Sequence, residues 1–100
     1  MPDQPDITHI LRQLRHHLPD WRRRYHVRSL GVFGSYVRHE QRPSSDLDLL
    51  VTFSETPGLL RFIALENELT DILGVKVDLV LRDALKPAIG AAVLAELVPV

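Results

Sequence analysis

Two aspartates one residue apart, Asp46 and Asp48, follow a Gly34-Ser35 pair with ten residues between Ser35 and Asp46, and a third carboxylate, Asp78, sits inside the apolar run Val77-Asp78-Leu79-Val80. Residues two apart on a strand share a side and lie about 6.5–7 Å apart, so Asp46 and Asp48 converge on one small volume. Carboxylates so placed repel unless a cation lies between them. Oxygen ligands of this kind suit Mg²⁺, which keeps several waters and takes further ligands from substrate phosphates. The pair is too sparse for a closed metal cage and fits a metal that arrives with a nucleotide. Asp78, brought beside it by a neighbouring strand, completes a set able to hold two ions about 3.5–4 Å apart, with Asp78 as second-metal ligand or general base. Gly34 lets the backbone approach a phosphate, the amides of a short helix start after it carry partial positive charge, and the Ser35 hydroxyl is a further donor. The turn is neither a Walker A loop, since no Gly-Lys-Ser or Gly-Lys-Thr follows, nor a dinucleotide-binding fingerprint.

These residues need a sheet to hold them. The apolar spacing Ile7, Ile10, Leu11, Leu14, Leu18 predicts an amphipathic helix opened by an N-cap at Pro5-Asp6, after a loose tail over residues 1–6. Pro19-Asp20 is expected to end that helix or to restart it as a shorter one through Trp21 and Tyr25. Val27 to Phe33 reads as a first strand closing at Gly34, and Asp46 to Phe53 as a second, with Leu47, Leu49 and Val51 on one face and Asp46, Asp48 and Leu50 on the other. A helix with the stripe Phe62, Leu65, Leu69, Ile72, Leu73 stops at Gly74, and Val75 to Leu81 forms a third strand. A short helix near Pro87 to Leu94 and an edge strand at Leu97 to Val100, where Pro99 is tolerated, complete the chain. Helices alternating with strands predict an α/β (α+β) domain spanning 1–100, a small mixed sheet flanked by helices.

Phe33-Gly34-Ser35-Tyr36-Val37-Arg38, Ser44-Ser45-Asp46-Leu47-Asp48-Leu49-Leu50-Val51 and Val77-Asp78-Leu79-Val80 together resemble the minimal nucleotidyltransferases of the polymerase-beta-like superfamily, over roughly Tyr25 to Val100. Within that superfamily the chain resembles the MNT antitoxins that accompany HEPN-domain toxin ribonucleases. The resemblance implies transfer of AMP from ATP to a tyrosine of the HEPN partner, release of pyrophosphate and silencing of the toxin. It further implies phosphate binding by Gly34 and Ser35, Asp46 and Asp48 as the metal-binding catalytic pair, and Asp78 as the third carboxylate. His39 departs from the pattern, which often has glycine after the motif arginine.

Each feature also has a plain structural reading. Asp46-Leu47-Asp48 fits a solvated loop-to-strand boundary, Gly34-Ser35 an ordinary turn, and Asp78 an exposed strand position; their combination carries the chemistry. Arg38 either neutralises phosphate or supports the turn from outside. The run Trp21-Arg22-Arg23-Arg24-Tyr25-His26 reads as a solvated or partner-facing helix side, with Trp21 an exposed apolar position, rather than a nucleic-acid surface, because the net charge is only -1. His9, His16, His17, His26 and His39 show no spacing with the acids that suits zinc and read as surface residues. The absence of cysteine excludes disulfides and thiolate chemistry, no apolar run approaches the roughly 20 residues of a membrane span, and the polar N-terminus is unlike a secretory signal, so a cytoplasmic protein is expected. A chain of 100 residues leaves little surface to enclose a second substrate once it holds a triphosphate, so the acceptor is expected from a partner protein. The competing class is a non-catalytic antitoxin that neutralises its partner by burying a surface. A third reading, transfer to a small molecule or nucleic acid, predicts turnover with no partner.

Overall fold

The computed structural model describes residues 5–100; residues 1–4 of the expected tail lie outside the described residues. Helix α1 spans Ile7–Tyr25, and its N-cap Asp6 accepts a hydrogen bond from the His9 amide at 2.9 Å. The helix runs unbroken through Pro19, where an end or a restart was expected. The bond that proline cannot make falls toward Arg15, and both residues are exposed, so water can serve the orphan carbonyl. Beyond Pro19 the buried stripe Ile10, Leu14, Leu18 continues unbroken in phase to Trp21 and Tyr25, and burial of two large aromatics outweighs the local cost. Trp21 is therefore core, 0% exposed, and not the exposed position expected from its arginine-rich surroundings. Arg22, Arg23 and Arg24 do face solvent, as do His9, His16, His26 and His39, while His17 is half-buried against the Trp21 ring.

Strand β1 (Val27–Phe33) pairs antiparallel with β2 (Leu47–Phe53), and β2 pairs parallel with β3 (Val77–Leu81). The parallel pair requires a crossover, which α2 (Leu59–Leu73) supplies before Gly74 stops it at φ 71°. A 3₁₀ turn over Arg82–Ala84, which apolar patterning did not reveal, leads to α3 (Pro87–Glu96) and to β4 (Val98–Pro99) on the far side of β1. The sheet order is β3-β2-β1-β4, with Pro99 on an edge strand as its missing donor requires. β2 and β3 begin one and two residues later than apolar patterning indicates, because their ladder starts at Leu47 opposite Val77. Among the described residues no helix is long and apolar enough to cross a membrane.

The two faces of the sheet have different roles. Leu30, Val32, Leu47, Leu49, Val51, Val77 and Leu79 pack with the stripes of α1 and α2 into one continuous core. On this side Glu68 of α2 ties the helices together: it accepts from the Trp21 indole at 2.6 Å, from Arg24 Nη1 at 3.0 Å and from the Tyr25 hydroxyl at 3.4 Å. Hydrogen bonding by Arg24 holds the Glu68 carboxyl below its ordinary proton affinity. The opposite face carries Gly31, Phe33, Asp48, Leu50, Asp78 and Val80, which the register aligns, and α3 covers only part of it.

Glu68→Ala leaves the indole N–H and a guanidinium without their acceptor, and the expected loss of unfolding free energy in urea at neutral pH is about 2 kcal/mol. Because the folded carboxyl is depressed, this stabilisation is present above the unfolded pKa and fades as pH falls through the folded one. The difference between the two proteins should therefore shrink on acidification.

Candidate active site

The site is built where β1 ends. The register places Phe33 opposite Asp48, so the turn that follows lies against the start of β2. Gly34 takes φ 83°, and a Cβ there would stand 2.2 Å from Asp48 Oδ2. Both the backbone angle and the close carboxylate require glycine at this position. The Gly34 carbonyl accepts from the amides of Val37 at 3.1 Å and Arg38 at 3.3 Å, and the Ser35 carbonyl accepts from Glu40 at 2.9 Å. This is a run of turns over Ser35–His39 rather than the helix start expected there. His39 closes it in the left-handed region at φ 57°, which stops a right-handed helix from propagating. The glycine that the resembled pattern often has at this position would adopt that angle freely. Tyr36, to which apolar patterning assigned no role, is 0% exposed and roots the turns in the main core. Burial, with the Asp46 charge second, raises its hydroxyl above the usual tyrosine range.

The parallel register sets Asp78 directly beside Asp48. In-register neighbours on adjacent strands project to one face about 4.8 Å apart, so the two carboxylates are brought together. Asp78 sits on an edge strand whose outer amides are taken up by α2: Val77 N–H donates to Thr70 Oγ1 at 3.1 Å and Leu79 N–H to Glu66 Oε2 at 2.8 Å. The strand carrying Asp78 is thus pinned on both sides of it. Asp46 precedes the strand, lies 3.9 Å from Lys76 Nζ, and borders a second hollow with Ser44 and Ser45. Its charge still reaches Asp48. Among the described residues no three His, Cys, Asp or Glu side chains stand close enough to hold one metal ion together.

Asp48 is the electrostatic focus. Burial first, then the charges of Asp78 and Asp46, push its carboxyl up to about 6, with Arg38 acting in the opposite direction. A carboxylate pair whose mutual repulsion is incompletely offset fits a divalent cation that brings phosphate and water oxygens with it. It does not form a closed cage.

An open hollow of about 580 Å³ lies over this face, lined by Phe33, Gly34, Arg38 and Asp48 on the sheet side and by Ile89, Val93 and Glu96 of α3 on the other. Glu96 was not anticipated as a site residue. It accepts from the Gly34 amide at 2.8 Å and from Arg38 Nη1 at 3.2 and 3.0 Å, while Arg38 Nε donates to Glu40 at 3.1 Å. Arg38 therefore braces the turn by two carboxylates. The available signal was that Glu96 is the one charged residue after Lys86 in an otherwise apolar tail.

The nucleotidyltransferase domain family model matches residues 14–98. The chain is 51% identical over 82 residues to the protein adenylyltransferase MntA of Thermococcus cleftensis, covering 82% of this chain and 83% of that protein. A solved structure described provisionally as a minimal nucleotidyltransferase superposes with TM-score 0.81 at 37% identity, covering 99% of this chain and 100% of the other. A toxin–antitoxin structure with AMP-PNP shares the fold at TM-score 0.67 and 24% identity, over 90% of this chain and 68% of that one.

Two stability measurements follow from the geometry. A carboxyl raised in the folded state lets that state hold the extra proton, so stability falls as pH rises from near the ordinary aspartate value of 3.8 toward about 6 and stays lower above. In metal-free buffer, Asp48→Asn should match the parent protein near the acidic end and exceed its unfolding free energy by roughly 2 kcal/mol at neutral pH. Equal stability of the two at neutral pH would contradict the assigned repulsion. His39→Gly, which removes a side chain from a left-handed position, should raise unfolding free energy by about 0.5–1 kcal/mol in the same assay.

Proposed function

The chain belongs to the nucleotidyltransferase domain family, and from that premise we propose that it transfers AMP from ATP to a tyrosine hydroxyl of a HEPN-domain toxin ribonuclease, releasing pyrophosphate and silencing the toxin. The observation that carries the reading is the in-register pair Asp48 and Asp78 beside the Gly34 turn. The 51% identical relative named as a protein adenylyltransferase supports a protein acceptor, and the toxin–antitoxin structure with AMP-PNP supports ATP and a toxin partner.

In this mechanism Gly34 and Ser35 would receive the triphosphate, and the pair Asp48 and Asp78, with Asp46 at its edge, would hold Mg²⁺ together with phosphate and water oxygens. Such a metal would supply charge neutralisation on the phosphates and a lower pKa for the attacking hydroxyl. The tyrosine oxygen attacks the α-phosphorus, the bond from that phosphorus to the bridging oxygen breaks, and pyrophosphate leaves. Asp78 is the more exposed partner of the pair and sits on the outermost strand, on the side from which a macromolecular acceptor can approach. It takes the hydroxyl proton and passes it to solvent. Asp48, half-buried and close against Gly34, would be the metal ligand nearest the turn. The hollow is open on its outer side, so a second protein has to complete the enclosure. This is the role assigned to the toxin.

Incubation with the HEPN partner, ATP and Mg²⁺ is expected to add one or more AMP units to the toxin by intact-mass measurement. Asp48→Asn should lower the rate by about a thousand-fold through loss of metal-borne charge stabilisation. A toxin inhibited without any mass gain would replace this reading with a binding module, and ATP turnover without the toxin would replace it with a small-molecule transferase.

A further inference from the structure

Glu96 occupies two of the groups that the turn would offer to phosphate, the Gly34 amide and the Arg38 guanidinium. An N–H has a single hydrogen, and that of Gly34 is committed to Glu96 Oε1 at 2.8 Å. Arg38 Nη1 is shared between both Glu96 oxygens, and Arg38 Nε is taken by Glu40. A carboxylate and a phosphate oxygen are both acceptors with negative charge, so they compete for the same groups. They cannot share the space comfortably either: a triphosphate entering here would add its charge to the Asp48 and Glu96 carboxylates that line the hollow and to Asp78 in register beside Asp48. Glu96 can also leave without parting the chain from the sheet. It is the last residue of a ten-residue helix, and β4 after it stays paired with β1. Its side chain is only partly enclosed, so rotation of the carboxylate alone frees both donors.

We infer that Glu96 is an intramolecular stand-in for nucleotide phosphate, a latch on Gly34 and Arg38 that the triphosphate displaces when it binds. The inference rests on the nucleotide reading above and adds a regulatory residue to it. In the free protein the latch satisfies a half-enclosed amide and a guanidinium and lowers apparent affinity by the fraction of molecules that hold it closed. In the complex the freed Glu96 carboxylate rotates to solvent. Affinity then depends on whatever keeps Glu96 away from the turn, including a partner seated over the hollow.

The test uses the whole chain alone, MgATP as probe, and three proteins: the parent, Glu96→Gln and Glu96→Ala. Calorimetry should find tighter MgATP binding in the order parent, Gln, Ala, with the Ala variant about ten-fold tighter than the parent, since a charge-assisted competitor has been removed. In nucleotide-free samples the Gly34 amide resonance should move on Glu96→Gln, and in the parent it should move toward that of the variants' complexes as MgATP is added. Binding that is unchanged or weaker in both variants would overturn the latch while leaving the nucleotide site standing, and would make Glu96 a brace for Arg38. Tighter binding with an unmoved Gly34 resonance would also overturn it, reducing the effect to the loss of one nearby charge. Absence of MgATP binding in all three proteins would sink the nucleotide reading and the latch with it.

Discussion

The close approach of Gly34 to the Asp48 carboxylate is the contact on which the rest of the site depends. It exists because β1 and β2 pair with Phe33 opposite Asp48, so the chain leaving β1 must turn directly over the first carboxylate of β2. With no side chain at Gly34 the backbone lies within reach of whatever Asp48 holds; any Cβ would displace that carboxylate. Asp78 inherits its place from Asp48 through the parallel register, and that register is kept by α2, whose Thr70 and Glu66 bond the edge-strand amides flanking Asp78. A helix packed on the far side of the sheet thus secures the strand that carries one of the two acids on the near side.

Much of this was readable from residue types, and the parts that were not share a cause. Strand β1 is bounded where its β-branched run and Gly34 place it, and the α2 stripe and its glycine stop follow from 3.6-residue spacing. Gly34, Asp48 and Asp78 could be brought together on paper because strand alternation and a crossover rule act on sequence directly. Pro19 misled because its local penalty is legible while the burial of Trp21 and Tyr25, which overrides it, comes from packing across forty-odd residues to Glu68. The contact of Asp46 with Lys76 was hidden for a similar reason. It stands just outside the ladder, where alternation no longer dictates direction. Glu96 was hidden most deeply, since nothing local to an apolar helix end announces a hydrogen bond to a turn 62 residues earlier.

His39 joins these two kinds of evidence. Its departure from the resembled glycine pattern was visible in the chain, but only the backbone angle explains what glycine does there. The turn demands a left-handed residue, and histidine adopts that angle at a cost that Tyr36, anchored in the core beneath, helps to offset. The departure therefore bears on stability of the turn, since glycine would contribute no side-chain group at this position.

One sheet uses carboxylates in two opposed ways. On the helical face Glu68 is met by Arg24, Trp21 and Tyr25, its proton affinity is depressed, and its charge is fully spoken for within the fold. On the open face Asp48 is desolvated beside two other acids, its proton affinity is raised, and the opposing cation Arg38 is itself shared with Glu40 and Glu96. The first arrangement consumes charge to hold helices together, whereas the second leaves negative charge unspent at the mouth of a hollow. An anionic nucleotide can enter such a place only with cations of its own or by displacing an anion already there. The cation proposed for the carboxylate pair and the displacement inferred for Glu96 are thus two answers to the same electrostatic problem, and both arise from placing acids on the one sheet face that α1 and α2 leave uncovered.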